Sequence, residues 1–349
     1  MTPPHRSAPG GSRTAPPAAS REGSDARTLL EALAIPAMVA IGGLIAVQST
    51  VNGRLAHELG TGMRAGVLAA LVSFGSGLVL LATVNLSVPR LRRRVRTLYA
   101  AVRVGRLRPW HVLGGTAGAM LVASQGLTVP TIGVALFTVA VVAGQTSSGL
   151  AVDHAGLGPS GPRAISTGRM LGAGVTLAAV AIGVSGRLGG AHALTAGALA
   201  LAALPLVAGS FASWQQAVNG QVSTVGGPLA AALNNFAVGT TTLLVVLAVS
   251  FLAPGSLTGA PTQWWLYTGG TLGCVFIASA AVLVRVHGVL VLGLCTVAGQ
   301  VVTSVLLDAL TGTERLAPLT VVGAAVALLG VTLGAWASRG RNPRPGPAH

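Results

Sequence analysis

The sequence predicts an all-α polytopic membrane protein with ten transmembrane helices, arranged as two inverted five-helix repeats. Three observations support this fold class. The chain of 349 residues is 52% hydrophobic and 8% charged, with a mean hydropathy of +0.73, whereas about a quarter of the residues in a soluble domain are charged. Long apolar stretches recur along the whole chain. The two halves also carry the same motifs in the same order.

Ten apolar stretches have close to the 20 or so residues that a helix needs to cross the hydrocarbon core. The predicted spans are 30–51, 64–85, 110–129, 131–152, 165–185, 196–218, 228–251, 264–284, 286–307 and 316–337. Gly and Ala are abundant, and aromatic residues make up only 4% of the chain. This composition is typical of closely packed helices rather than of a β-barrel.

The spans divide the chain into four predicted parts. These are a disordered cytoplasmic tail at 1–28, a first five-helix repeat at 29–190, a second repeat at 191–338 and a cytoplasmic tail at 339–349. Both tails are polar and lack apolar periodicity, so they cannot bury enough apolar surface to fold. The first apolar run is too long for a signal peptide and lacks a small-residue cleavage site.

Arginine supplies all 22 basic residues, and its distribution predicts the topology. Eight arginines fall between Arg90 and Arg108, in one connection between spans. Cytoplasmic connections carry an excess of basic residues, so the pattern places both termini in the cytoplasm of a bacterial inner membrane. The charge is therefore a topology signal and does not indicate nucleic acid as a partner. Attraction to anionic inner-leaflet lipid near Arg90–Arg108 is the second expectation.

The two repeats align over a long series of residues. Trp110 matches Trp265, Gly114 matches Gly269, Gly133 matches Gly288, Gln145 matches Gln300 and Asp153 matches Asp308, while upstream Gln48, Asn52 and Ser73 match Gln215, Asn219 and Asn235. Because each repeat has an odd number of spans, the second copy enters the membrane in the opposite orientation. Inverted repeats are a transporter architecture, in which two similar halves open alternate sides of a central site.

The repeated motifs resemble those of a known family. The Gln-x-x-x-Asn-Gly ending of the first helix, the Ser-Phe or Asn-Phe of the second and the Ala-Gly-Gln of the fourth are similar to motifs of the drug/metabolite transporter superfamily. The closest resemblance is to its EamA-like bacterial branch of five-helix half-transporters, here fused as a duplicate across residues 30–337. The resemblance implies a central cavity lined by the first four helices of each half. It does not imply a substrate, and it leaves the arginine-rich connection at 86–109 unmatched.

Amide side chains in apolar helices are the candidate substrate-binding or gating groups, because an amide in the membrane needs a polar partner. The candidates are Gln48, Asn52, Ser73, Gln145, Gln215, Gln216, Asn219, Asn234, Asn235 and Gln300. Alternatives stay open for several of them. Asn52 and Asn219 precede glycines and fit a helix C-terminal cap equally well. The amides of the fourth and ninth spans, and the Asn pair, could instead form hydrogen bonds between helices.

Other chemistry finds little support in the sequence. The acidic residues avoid the middle of every predicted span, so no carboxylate for proton coupling stands out. The symmetric pair Asp153 and Asp308 is expected at helix ends. The histidines show no metal-ligand spacing, and no P-loop or nucleophile elbow occurs, so we expect neither an enzyme nor a cofactor.

The sequence therefore predicts a secondary transporter of an unidentified small molecule, working by alternating access. The alternative is a non-transporting membrane scaffold or lipid-interacting protein, and a membrane enzyme acting on lipid is a weaker third reading. The predicted partners are the substrate, the bilayer and a second copy of the chain in a homodimer.

Overall fold

The computed structural model describes residues 18–159, 161–162, 167–185, 196–311 and 318–339. Nearly all of these residues lie in helices. The helices are α1 (Ala18–Leu59), α2 (Gly62–Ser87), α3 (Pro89–Arg103), α4 (Gly114–His154), α5 (Thr167–Ser185), α6 (Ala196–Gly226), α7 (Pro228–Ser250), α8 (Gly269–Thr311) and α9 (Pro318–Arg339). Short 3₁₀ turns, Pro109–Leu113 and Trp264–Tyr267, precede α4 and α8.

Among the described residues, three helical segments are both long and apolar enough to cross a membrane. They are Gly62–Ser87, Pro109–His154 and Pro228–Ser250. Shorter apolar helices run over Met170–Ala179, Cys295–Leu310 and Val321–Gly330. The predicted all-α membrane class agrees with these helices.

Residues 18–28 differ from the prediction of a disordered tail, because α1 begins at Ala18 and includes them. Residues 1–17 and 340–349 lie outside the described residues, and so does the predicted boundary between the repeats at 190.

The chain reverses direction inside α4, at Gly133. Its backbone there has φ 77° and ψ 160°, a left-handed conformation that glycine adopts without strain. Before the reversal, Gly114 and Gly118 lie beside Asn219 and Gln215, so this part is antiparallel to α6. After it, the chain runs parallel to α6. The predicted spans 110–129 and 131–152 are therefore a tight helical hairpin.

The carboxylate of Asp308, on α8, caps the second helix of this hairpin. The backbone N–H groups of Val134 and Ala135 donate to Asp308 Oδ1 and Oδ2 at 3.2 and 2.8 Å. The first N–H groups of a helix have no partner within the helix, so an acceptor from elsewhere stabilises that end. The expected helix-end position of Asp308 thus has a specific structural role.

Small residues allow the long helices to approach each other closely. A methyl group added at Gly144 would overlap the carbonyl of Leu206 on α6, and one at Gly209 would overlap the carbonyl of Val141. On the other side of the molecule, Gly299 and Gly42 make the corresponding close contacts between α8 and α1. Such backbone-to-backbone packing is typical of membrane helices.

The two long connections close opposite ends of this helical core. The arginine-rich connection, predicted as a loop, contains α3, whose Leu98 and Ala101 pack against Val222 and Ala231 of α6 and α7. The connection after α7 forms strand β2 (Gly255–Leu257), which pairs antiparallel with β1 (Gly60–Thr61) at the end of α1.

Candidate functional site: two amide clusters

The first cluster of buried polar side chains, the Gln48 cluster, comprises Gln48, Asn52, Ser73, Gln125 and the glycine Gly269 at the start of α8. Gln48 Nε2 donates to the Gly269 carbonyl at 2.8 Å, and Asn52 Nδ2 donates to Gln125 Oε1 at 2.7 Å. All four polar side chains are at most 9% exposed. A buried amide without a partner costs about 1–3 kcal/mol, so these hydrogen bonds fix the side chains in place.

The second cluster, the Gln215 cluster, comprises Gln215, Asn219, Asn235 and Gly114 at the start of α4. Gln215 Nε2 and Asn219 Nδ2 both donate to Asn235 Oδ1, at 2.9 and 3.0 Å. Asn235 is buried, whereas Gln215 and Asn219 are half-buried. One acceptor on α7 therefore holds two donors that are one turn apart on α6.

Each cluster is completed by the first turn of a helix from the other half of the chain. A methyl group at Gly269 would overlap Asn52 Oδ1, and one at Gly273 would lie 2.8 Å from Gln48 Nε2. At the corresponding positions, a methyl group at Gly114 would lie 2.7 Å from Asn219 Oδ1, and one at Gly118 would lie 2.5 Å from Gln215 Nε2. Glycine at these helix starts leaves the amides the space that a side chain would occupy.

Two phenyl rings lie between the clusters. Phe74 and Phe236 have ring centroids 5.0 Å apart and are tilted by 35°, within the range of favourable aromatic pairs. Phe236 lies near Gly273, on the side of the Gln48 cluster, and Phe74 lies near Gly118, on the side of the Gln215 cluster. Both rings belong to one apolar core formed by α2, α4, α7 and α8. The two polar clusters are therefore separated by apolar side chains.

Buried oxygen atoms in each cluster lack a hydrogen-bond donor among the described residues. They are Asn52 Oδ1 and Ser73 Oγ in the Gln48 cluster and Asn219 Oδ1 in the Gln215 cluster. Asn52 Oδ1 and Ser73 Oγ both lie beside Gly269. These oxygen atoms could accept a hydrogen bond from a polar molecule that enters either cluster.

A family model described as "Putative inner membrane exporter, YdcZ" matches the chain twice, over residues 33–182 and over residues 200–333. The chain belongs to this family. The two matches confirm that it contains two copies of the family unit, as expected for a duplicated member of the drug/metabolite transporter superfamily. A search of curated proteins finds no match. The family description is that of a transporter of the inner membrane and not that of an enzyme.

In this exporter-family chain, some predicted candidates lie outside both clusters. Gln145 accepts a hydrogen bond at its backbone carbonyl from Ser213 Oγ at 2.7 Å. Gln300 is buried and follows Gly299, which packs against Val39, more than two turns before Gln48. Gln216 is exposed on α6. The structure does not group these three glutamines with the clustered amides.

Asn234, the remaining candidate, connects α7 to the arginine-rich connection. Its Nδ2 donates to the Val112 carbonyl at 2.8 Å, and its Oδ1 accepts from the Tyr99 hydroxyl at 3.2 Å. Its role therefore differs from that of the neighbouring Asn235, although the sequence treats the two alike.

Gln125 is not among the residues predicted from the sequence, although it carries the same signal as the other glutamines, an amide within an apolar span. The repeat is the reason, because the corresponding residue of the second half is Ala280. A search for every amide inside a span would have found it. Tyr99 gave no such signal, since its partner comes from a distant helix.

Proposed function

We propose that the protein is a secondary transporter that exports an unidentified small molecule across the bacterial inner membrane by alternating access. The double match to an inner membrane exporter family supports transport and its direction. Alternating access requires two similar halves with opposite orientations, each able to close one side of the membrane.

Matched contacts between the halves support the inverted arrangement. The close approach of Gly144 to Leu206 has its counterpart in that of Gly299 to Val39, and the approach of Gly209 to Val141 has its counterpart in that of Gly42 to Thr296. In each pair, the fourth predicted span of one half packs on the first of the other. Such an exchange is expected from a two-fold axis in the membrane plane.

The observation that carries the proposal is the pair of amide clusters. Each cluster combines the Gln and Asn of one half with a helix start of the other half, and each leaves an Asn oxygen without a donor among the described residues. A relative movement of the halves would therefore change both clusters at once. In this mechanism, the two clusters bind hydrogen-bond donors of the substrate in turn. When the protein closes at one side of the membrane, the amides of the cluster at that side form hydrogen bonds with each other.

The two clusters differ in burial, as expected for a conformation that is open to one side of the membrane only. Asn52 is fully buried, whereas Asn219 is half-buried. The arginine distribution predicts that the Gln215 cluster lies at the cytoplasmic side. In the proposed mechanism, the structure represents a conformation in which the outer cluster is closed and the inner cluster is more open.

Cysteine accessibility tests this proposal. With Cys274 and Cys295 replaced, single cysteines at Asn52 and Asn219 are labelled by impermeant reagents from the outside and the inside. We expect the two positions to be protected alternately, and a crosslink that locks one side to invert the pattern. Simultaneous labelling of both would indicate a channel and would contradict the proposal. Protection of both under all conditions would indicate a packed scaffold.

The scaffold alternative is supported by one observation, the direct pairing of amides such as Asn52 with Gln125. Gln48→Leu and Gln215→Leu distinguish the two functions. In a transporter, each change should abolish substrate-dependent thermal stabilisation, found by screening ligands on the purified wild type, and leave the unliganded Tm within a few degrees. In a scaffold, both changes should lower the Tm substantially. Gly269 keeps a partner for its carbonyl within α8, which limits the structural cost of Gln48→Leu.

A further inference from the structure

Helix α3 (Pro89–Arg103) has two different faces. Leu91, Val95, Leu98 and Val102 follow the spacing of one helical stripe, and each is buried or half-buried. Leu98 packs on the end of α6, where a methyl group at Gly226 would lie 3.1 Å from its Cβ. The apolar stripe therefore fastens α3 across the ends of α6 and α7.

A neighbouring, exposed face of α3 carries a row of arginines. Arg92, Arg96 and Arg103 lie within a narrow sector of the helix, and all are exposed. Their guanidinium groups form no hydrogen bond with any described residue. The chain contains no Asp or Glu between Glu58 and Asp153. Like charges one turn apart repel each other, so this row favours a negatively charged partner from outside the chain.

The arginines at the other end of the molecule, Arg64 and Arg54, contact other groups of the protein. Arg64 donates to the carbonyls of Gly255 and Ala253, at 2.9 and 3.3 Å, and its guanidinium lies 4.4 Å from the ring centroid of Phe251. Arg54 lies over the ring of Trp265. These arginines have partners within the protein, whereas the row on α3 has none among the described residues.

We infer that the exposed face of α3 binds the headgroups of anionic phospholipids. The position of the helix selects this partner over an acidic protein or a nucleic acid. Helix α3 begins two residues after Ser87, where the apolar helix α2 ends, so it lies at the headgroup level of a bilayer that α2 crosses. An amphipathic helix with basic residues on its polar face is suited to that interface.

Lipid binding on α3 also acts on the Gln215 cluster, a consequence that rests on the proposed transport function. The Tyr99 hydroxyl donates to Asn234, which is adjacent to the Asn235 that holds Gln215 and Asn219. A tyrosine hydroxyl is protonated at physiological pH, and burial raises the pKa of Tyr99 further, so this group can donate. We call this hydrogen bond between Tyr99 and Asn234 the Tyr99 latch. Headgroups that hold α3 against α6 and α7 would keep it formed.

The test of lipid binding uses the purified full chain in detergent, with added phosphatidylglycerol or phosphatidylcholine, and measures the Tm. We expect phosphatidylglycerol to raise the Tm more than phosphatidylcholine does, and salt to weaken the effect. The triple variant Arg92→Gln, Arg96→Gln, Arg103→Gln should lose the preference, with affinity falling on the order of fivefold per arginine. The matched Lys triple should retain it.

Equal responses to both lipids, or a full response in the Gln triple, would overturn the inference. Stabilisation by an acidic peptide or an oligonucleotide without a response to phosphatidylglycerol would also overturn it. The readout is independent of transport, so lipid preference in a protein that fails the accessibility test would refute the proposed function alone.

The variant Tyr99→Phe tests the Tyr99 latch separately from lipid binding. It should keep the lipid preference but increase labelling of a cysteine at Asn219 from the inside. Unchanged labelling would refute the latch.

Discussion

The Gln48 cluster and the Gln215 cluster start from the same motif but are completed differently. In the first, the third amide is Gln125 on α4, while α2 contributes only Ser73. In the second, the third amide is Asn235 on α7, at the position that matches Ser73, and the counterpart of Gln125 is Ala280. The duplicated chain has kept the amides of α1 and α6 and changed their partners.

This difference indicates that the two sides of the molecule are not interchangeable. The Gln48 cluster has two separate hydrogen bonds and only buried side chains. The Gln215 cluster shares one acceptor between two donors, and those two donor residues are only half-buried. The connections next to the clusters differ as well. A paired β-strand closes one end, and the amphipathic helix α3 lies across the other.

The largest expected effect tests what the clusters have in common. A methyl group at Gly115 or Gly270 would overlap a backbone carbonyl, of Asn235 or Ser73 respectively. Gly115→Ala and Gly270→Ala should therefore each destabilise the protein by about 2–3 kcal/mol, because backbone cannot move aside as a side chain can. Gly75→Ala is the control, since a methyl group there meets nothing within 4 Å. Thermal unfolding in detergent measures all three, and unequal losses at the two test positions would contradict equivalent packing.

A smaller effect should separate the clusters. Asn52→Ala leaves Gln125 Oε1 buried without its donor, so we expect a loss of about 1–2 kcal/mol. Asn219→Ala leaves Asn235 Oδ1 still bonded to Gln215, so the loss should stay below about 1 kcal/mol. Chemical unfolding of the two variants beside wild type gives the comparison. Equal losses would show that the difference in burial has no energetic counterpart.

The smallest expected effect concerns the carboxylate cap. Asp308→Ala removes the acceptor for the N–H groups of Val134 and Ala135 and should cost about 1 kcal/mol. From the repeat, we predict that Asp153 caps the backbone of residues 289 and 290 after Gly288 in the same way. Asp153→Ala should then cost about as much as Asp308→Ala in the same unfolding assay. A negligible effect at Asp153 alone would limit the cap to one half.

The sequence by itself determined the class of the protein and the positions of its repeated motifs. Apolar length and low charge predict a helical membrane protein, because an unpaired backbone is too costly in hydrocarbon for anything but helices or closed barrels. The repeat located Gln48, Asn52, Gln215 and Asn219 without any structure. The family match then confirmed the duplication.

Only the tertiary structure decided which of these amides lie together. Gln125 and the helix-start glycines reach their partners from helices far away in the chain, and Asn235 reaches its partners from the next helix. Hydrogen bonds between different helices leave no periodic signal in a sequence. The same reason separates Asn234 from Asn235, since adjacent residues on a helix face directions about 100° apart. It also explains α3, whose apolar stripe becomes a folded element when the ends of α6 and α7 provide a surface to pack on.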